Sequence, residues 1–86
     1  MKSSTYASLV TILFIKHSKN VSRSIESVIR MTDQLCKKMG VENTLSHMTK
    51  YRIVSELISN HILSVRRTKK NAKVFLSKKI QTFLED

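Results

Sequence analysis

Proline is absent from this 86-residue chain, and glycine occurs once, at Gly40. These absences argue against disordered, linker-rich sequence, and one glycine cannot build a phosphate-cradling Gly-rich loop. Tryptophan is missing too, and the single Cys36 has no partner for an internal disulfide. A lone thiol fits a reducing intracellular compartment, and its place on the apolar stripe of a helix points to packing rather than reactivity. Acids are scarce, six against sixteen Lys and Arg. They are scattered over solvated faces and form no acid–base pair, so no enzymatic activity is expected. His47 and His61 lack Cys or acidic partners at ligand spacing, so neither a metal nor another cofactor is expected. The longest apolar run, 9–15 with Thr11 inside it, falls far short of the roughly 20 residues of a membrane-spanning helix, and no small-residue cleavage site follows it. No membrane partner is expected.

What is present in quantity is positive charge. The formal net charge is +10, and residues 50–79 hold nine Lys or Arg against one acid, Glu56, a net of +8. Residues 1–49 hold seven against three, and 80–86 hold two acids alone. One-sided charge on a folded chain points first to a polyanion, nucleic acid above all. The alternative is a generally solvated basic surface.

The chain is organised around residues 44–77. In the first part, Ile53, Val54, Leu57 and Ile58 share one side of a helix. Thr49, Arg52, Ser55, Glu56 and Ser59 occupy the other side, with Met48 at the edge. After Asn60 and His61 the period becomes alternating: Leu63 and Val65 against Ser64 and Arg66, then Val74 and Leu76 beyond a polar tip. The tip, 67–73, is basic, and Asn71 tolerates the left-handed conformation a turn needs.

Earlier in the chain, Ser3, Ser4 and Thr5 offer N-cap hydroxyls for a first helix. Tyr6, Leu9, Val10, Leu13 and Phe14 form its face, widened by Ile12 and Ile15, and it should end near 17–20. Ser22 is the next expected cap. Ile25, Val28, Ile29, Leu35, Cys36 and Met39 then trace a stripe, with Arg23, Arg30, Asp33, Lys37 and Lys38 pointing away. Lys37 and Lys38 suit the last turn of a helix, and Gly40 suits the position just past its end. Finally, Ser77 can cap a closing helix that packs Ile80, Phe83 and Leu84 inward.

The expected fold is therefore mainly α with a small β-hairpin, a winged helix-turn-helix in the order α-α-α-β-β-α. It forms one domain over 1–86, with the helix-turn-helix over about 22–59 and the wing over about 62–77. Leu9, Leu13, Ile29, Val54, Leu57, Val65 and Leu76 should be buried. The third helix would enter a major groove while the wing lies on backbone or minor groove. Candidate DNA contacts on that helix are Ser46, His47, Thr49, Lys50 and Arg52. Ser46 and Thr49 have helix capping as their plainer reading, and Lys50 lies close enough to the apolar side to snorkel. In the wing the candidates are Arg66, Arg67, Lys69, Lys70, Asn71 and Lys73.

Residues 33–67, DQLCKKMGVENTLSHMTKYRIVSELISNHILSVRR, followed by 73–86, KVFLSKKIQTFLED, resemble the C-terminal winged-helix domain of the replication-initiator ATPases. These are the archaeal and eukaryotic origin-recognition and cell-division-control proteins. Cys36-Lys37-Lys38, Leu45, Leu57, Ile62-Leu63, 73–76 and Leu84-Glu85-Asp86 occupy the places of that pattern, and the similarity covers about 21–86. His61 stands where the family usually has a glycine, so Asn60 is expected to take the turn conformation. Thr68-Lys69-Lys70-Asn71 stands where archaeal members carry a Gly-Arg-Tyr-Gly-Arg wing. The resemblance implies the duplex-DNA-binding, origin-binding module of such a protein and not its motor. Other replication proteins would be its further partners, as monomer or homodimer. Its location would be the nucleus in a eukaryote and the cytoplasm or nucleoid otherwise. A small transcription regulator on the same fold is one alternative. A winged helix serving protein contacts, its basic wing on an acidic partner, is the other.

Overall fold

The computed structural model describes residues 1–17 and 22–85. Four helices and one antiparallel hairpin follow in the order α1 (Ser3–Lys16), α2 (Ile25–Lys38), α3 (His47–Ser59), β1 (Leu63–Arg67), β2 (Ala72–Leu76) and α4 (Lys78–Glu85). The expected composition, mainly helical with a small two-stranded hairpin, is the one observed. The ends of α1 expected at 18–20 lie outside the described residues; within them α1 closes at Lys16, with His17 as its cap.

The core forms where α1, α2, α3 and the hairpin converge. Tyr6, Val10 and Phe14 from α1 meet Val28 and Ile29 from α2, Ile53 and Val54 from α3, and Leu63, Val74 and Leu76 from the strands. Each fully buried aliphatic side chain contributes about 1.5–3 kcal/mol by leaving water. Leu9, Leu13, Ile29, Val54 and Leu76 are buried as expected. Leu57 and Val65 are only half-buried. Leu57 lines a shallow groove with Ala7, Thr11, Ile12 and Ile62 at the α1–α3 seam, and Val65 lies two residues closer to the solvent-facing hairpin tip than Leu63. The outer flank of α1 also departs from expectation: Ile12 and Ile15 face solvent, because no element among the described residues covers that side.

Helix ends explain several local outcomes. The hydroxyls proposed to cap α1 do not: Lys2 is the N-cap without a side-chain bond, while Ser8 and Thr11 donate back to the carbonyls of Ser4 and Ala7. Ser24, not Ser22, caps α2 by accepting from the Ser27 N–H at 3.2 Å. Gly40 takes φ +68° just past α2, as its place predicts. The Val41 N–H donates to the Cys36 carbonyl and the Gly40 N–H to that of Lys37, which satisfies two orphan acceptors.

The same closure is repeated after α3 with a residue less suited to it. The Ile62 N–H donates to the Leu57 carbonyl and the His61 N–H to that of Ile58. The left-handed residue is His61, at φ +62°, whereas Asn60 stays at φ −89°. The expectation for Asn60 was one position early, because the closing bonds require the residue after the cap to be left-handed. A side chain there costs about 1–2 kcal/mol, partly offset for glycine by its greater freedom when unfolded. His61→Gly is therefore expected to raise unfolding free energy by about 0.5–1 kcal/mol, read by chemical denaturation. A loss of stability would mean that the imidazole makes a compensating contact.

The hairpin pairs Leu63 with Leu76, Val65 with Val74 and Arg67 with Ala72, so the strands run further out than the expected 67–73 tip. Its loop is Thr68–Asn71 alone. Thr68 and Asn71 close it: the Thr68 N–H donates to the Asn71 carbonyl at 2.7 Å, and the Asn71 N–H donates to Thr68 Oγ1 at 3.1 Å. Asn71 is not left-handed; the hydroxyl of Thr68 makes the turn without it. Just before α2, Arg23 bridges β2 by exchanging backbone bonds with Val74, a one-residue third strand that the sequence pattern did not reveal.

Ser77 caps α4 through the Ile80 N–H. Only Ile80 reaches the core; Phe83 is 75 % exposed and Leu84 also faces solvent, against the expected inward packing. Leaving the sheet directly after Leu76, α4 keeps its first turn against the core and carries the second beyond it.

Candidate nucleic-acid interface

Strand alternation sorts the basic residues of the hairpin. Leu63, Val65 and Val74 turn one face to the core, while Ser64, Arg66, Lys73 and Phe75 occupy the other. Arg66 and Lys73 are direct cross-strand partners, two cations on the solvent face. Like charges so placed oppose folding. Arg66 stacks over the Phe75 ring, 6.0 Å from its centre, which offsets part of that cost by cation–π attraction. Arg67 ends β1, and Lys69 and Lys70 form the outer corner of the loop. All five cations are exposed, and none has an acidic partner among the described residues. Asn71 lies in the same loop with its backbone committed to Thr68.

The candidates on α3 fare differently. Ser46 is the N-cap: its hydroxyl accepts from the Thr49 N–H at 3.2 Å and lies 2.9 Å from Thr49 Oγ1. Both hydroxyls therefore take part in the cap, the plainer of the two readings. His47 pairs with Glu26 of α2 through Nε2 at 3.2 Å, with both side chains largely solvated. The Lys50 ammonium does not reach outward; it donates to Asp33 Oδ2 at 3.1 Å, and its side chain is 14 % exposed. Arg52 remains largely in solvent, loosely facing Glu56 one turn on at 3.9 Å. An exposed pair of that length is worth little and leaves the guanidinium available.

Asp33 was placed on the solvent side of α2, yet it is the polar junction of the helices. Its carboxylate accepts from the Tyr6 hydroxyl at 3.1 Å, the Asn43 amide at 2.9 Å and Lys50. One side chain thus ties α1, α2, the α2–α3 turn and α3 together. Burial, then the neighbouring Asp33 charge, pushes the Tyr6 phenol well above its ordinary value. Burial and the same carboxylate push the Cys36 thiol up, so the buried cysteine stays protonated and inert, as its place on the stripe implied.

With Ile53, Val54 and Lys50 facing inward, the row of α3 opposite the core is Met48, Arg52, Ser55 and Ser59, at helical spacing. Thr49, expected on that face, lies at its edge and is half-buried. Met48, expected at the edge, is at its centre and 83 % exposed. Lys50 bears toward α2, which brings Met48 to the centre of the row, and only its pairing with Asp33 reveals that bearing.

Among the described residues no group of three or more His, Cys, Asp or Glu could hold a metal, and no helix is long and apolar enough to cross a membrane. No protein family, curated protein or solved structure matches the chain.

Proposed function

We propose that this chain is a winged-helix module that binds duplex DNA, with the β1–β2 hairpin as a wing on the phosphate backbone and α3 directed at the major groove. The observation that carries the reading is the cross-strand pair Arg66–Lys73, with Arg67, Lys69 and Lys70 beside it, none neutralised by an acid among the described residues. Such an arrangement opposes folding and favours a polyanion. The element order and the Arg23–Val74 bridge, which adds a third strand-like segment to β2, support a winged helix in particular. Within this reading the origin-binding module of a replication initiator is the role that the quoted sequence resemblance favours. A small transcription regulator would use the same contacts on an operator.

The test is the affinity of the whole chain for a mixed-sequence duplex, followed by fluorescence anisotropy across a range of salt. If the five hairpin cations each displace a counterion, the log–log slope should be about −4.5. A flat salt response, or no binding at low salt, would leave the hairpin to an acidic protein partner instead. A symmetric dimer on a palindrome would favour the regulator over the initiator.

A further inference from the structure

The outward row of α3 begins with an unusual residue for a polar groove. Met48 is 83 % exposed in the first turn, and Tyr51, three residues on, is 44 % exposed beside it. In a helix that enters a major groove by its N-terminal half, the first turn comes nearest the base edges. The polar groups of the same turn already have partners within the chain. Ser46 and Thr49 form the cap, His47 meets Glu26, and Lys50 meets Asp33. What remains at the leading end of α3 is the Met48 thioether chain, with the Tyr51 ring beside it and Arg52 behind.

An apolar tip gains nothing from the donors and acceptors of base edges, and it would leave them dehydrated and unpaired. The major groove offers it one apolar feature, the C5-methyl group of a pyrimidine. We propose that Met48, flanked by Tyr51, is a specificity-determining residue that reads the C5-methyl group, thymine being its ordinary source. The flexible thioether chain can lie flat on a methyl without a fixed bonding geometry. The inference rests on the DNA-binding reading above.

The experiment measures binding of the whole chain at one salt concentration to an alternating A·T duplex and to its counterpart with uracil in place of thymine. A G·C duplex with and without C5-methylated cytosine completes the set. Removing thymine methyls is expected to weaken wild-type binding about fourfold for each methyl covered, the factor that burial of one such group supplies. Met48→Ala should bind the thymine and uracil duplexes equally and keep the wild-type salt slope. Met48→Leu, which keeps apolar bulk, should keep the preference. Equal binding of thymine and uracil by the wild type overturns the proposal, and so does a preference that survives Met48→Ala. A gain on methylated cytosine would assign recognition to the methyl on either pyrimidine, and no gain there would assign it to thymine. Failure of the wild type to bind any duplex is a distinct outcome, which removes the DNA-binding reading and this inference with it.

Discussion

Replacing Lys69, Lys70 and Lys73 together with alanine is expected to flatten the salt dependence of duplex binding by about 2.7 in log–log slope, if each cation meets one phosphate. Between about 50 and 200 mM salt the deficit of the variant relative to wild type should then shrink about fortyfold. The loss should be nearly uniform across sequences, because phosphate contacts position a protein without reading bases. The fold should not suffer. All three lysines are exposed, and the Thr68–Asn71 closure that shapes the loop uses none of them. Removing Lys73 also relieves its repulsion with Arg66, a gain of about 0.2–1 kcal/mol. Lower affinity together with equal or higher thermal stability is therefore the expected pair of results. An unchanged salt slope would mean that the hairpin does not meet DNA.

Much of the architecture was legible because periodicity reports burial directly. The change from helical to alternating spacing after His61 located the hairpin, Gly40 marked the end of α2, and Ser77 marked the start of α4. The features that escaped are those that depend on a distant partner. Asp33 reads as a solvent-face acid within its own helix, and only the approach of Tyr6, Asn43 and Lys50 makes it a junction. Arg23 pairs with Val74 across more than fifty residues, with no alternation around it to betray a strand. Phe83 and Leu84 follow Ile80 at helical spacing, which shows that a stripe exists but not whether anything covers it. In the candidate interface, charge in the hairpin was plain from composition. On the outward row of α3, Arg52, Ser55 and Ser59 fall as expected while Met48 and Thr49 exchange centre and edge, since several hydrophobic residues on a short helix fix its bearing only loosely.

That bearing leads to an expectation with opposite signs for stability and binding. Asp33→Ala removes the shared acceptor of Tyr6, Asn43 and Lys50. A buried donor left unpaired costs about 1–3 kcal/mol, but Tyr6 keeps a long bond to the Ile29 carbonyl and the Asp33 side chain is 37 % exposed, so water can replace part of the loss. A fall in unfolding free energy of about 2–4 kcal/mol is expected, measured by denaturant titration. Asp33→Asn, which keeps an acceptor and loses the charge, should fall between the variant and wild type. DNA binding should move the other way. With its carboxylate gone the Lys50 ammonium is released at the edge of α3 and can extend along its apolar stem toward a phosphate. The salt slope should then steepen by about 0.9, provided the titration is run where the variant remains folded. In a Lys50→Met background the same Asp33 substitution should leave the slope where it was, because the two positions act through one contact. Steepening that persists without Lys50 would trace the effect to the lost negative charge. No steepening in either background would place Lys50 out of reach of the backbone, leaving it as the ion-pair partner that holds α3 to α2.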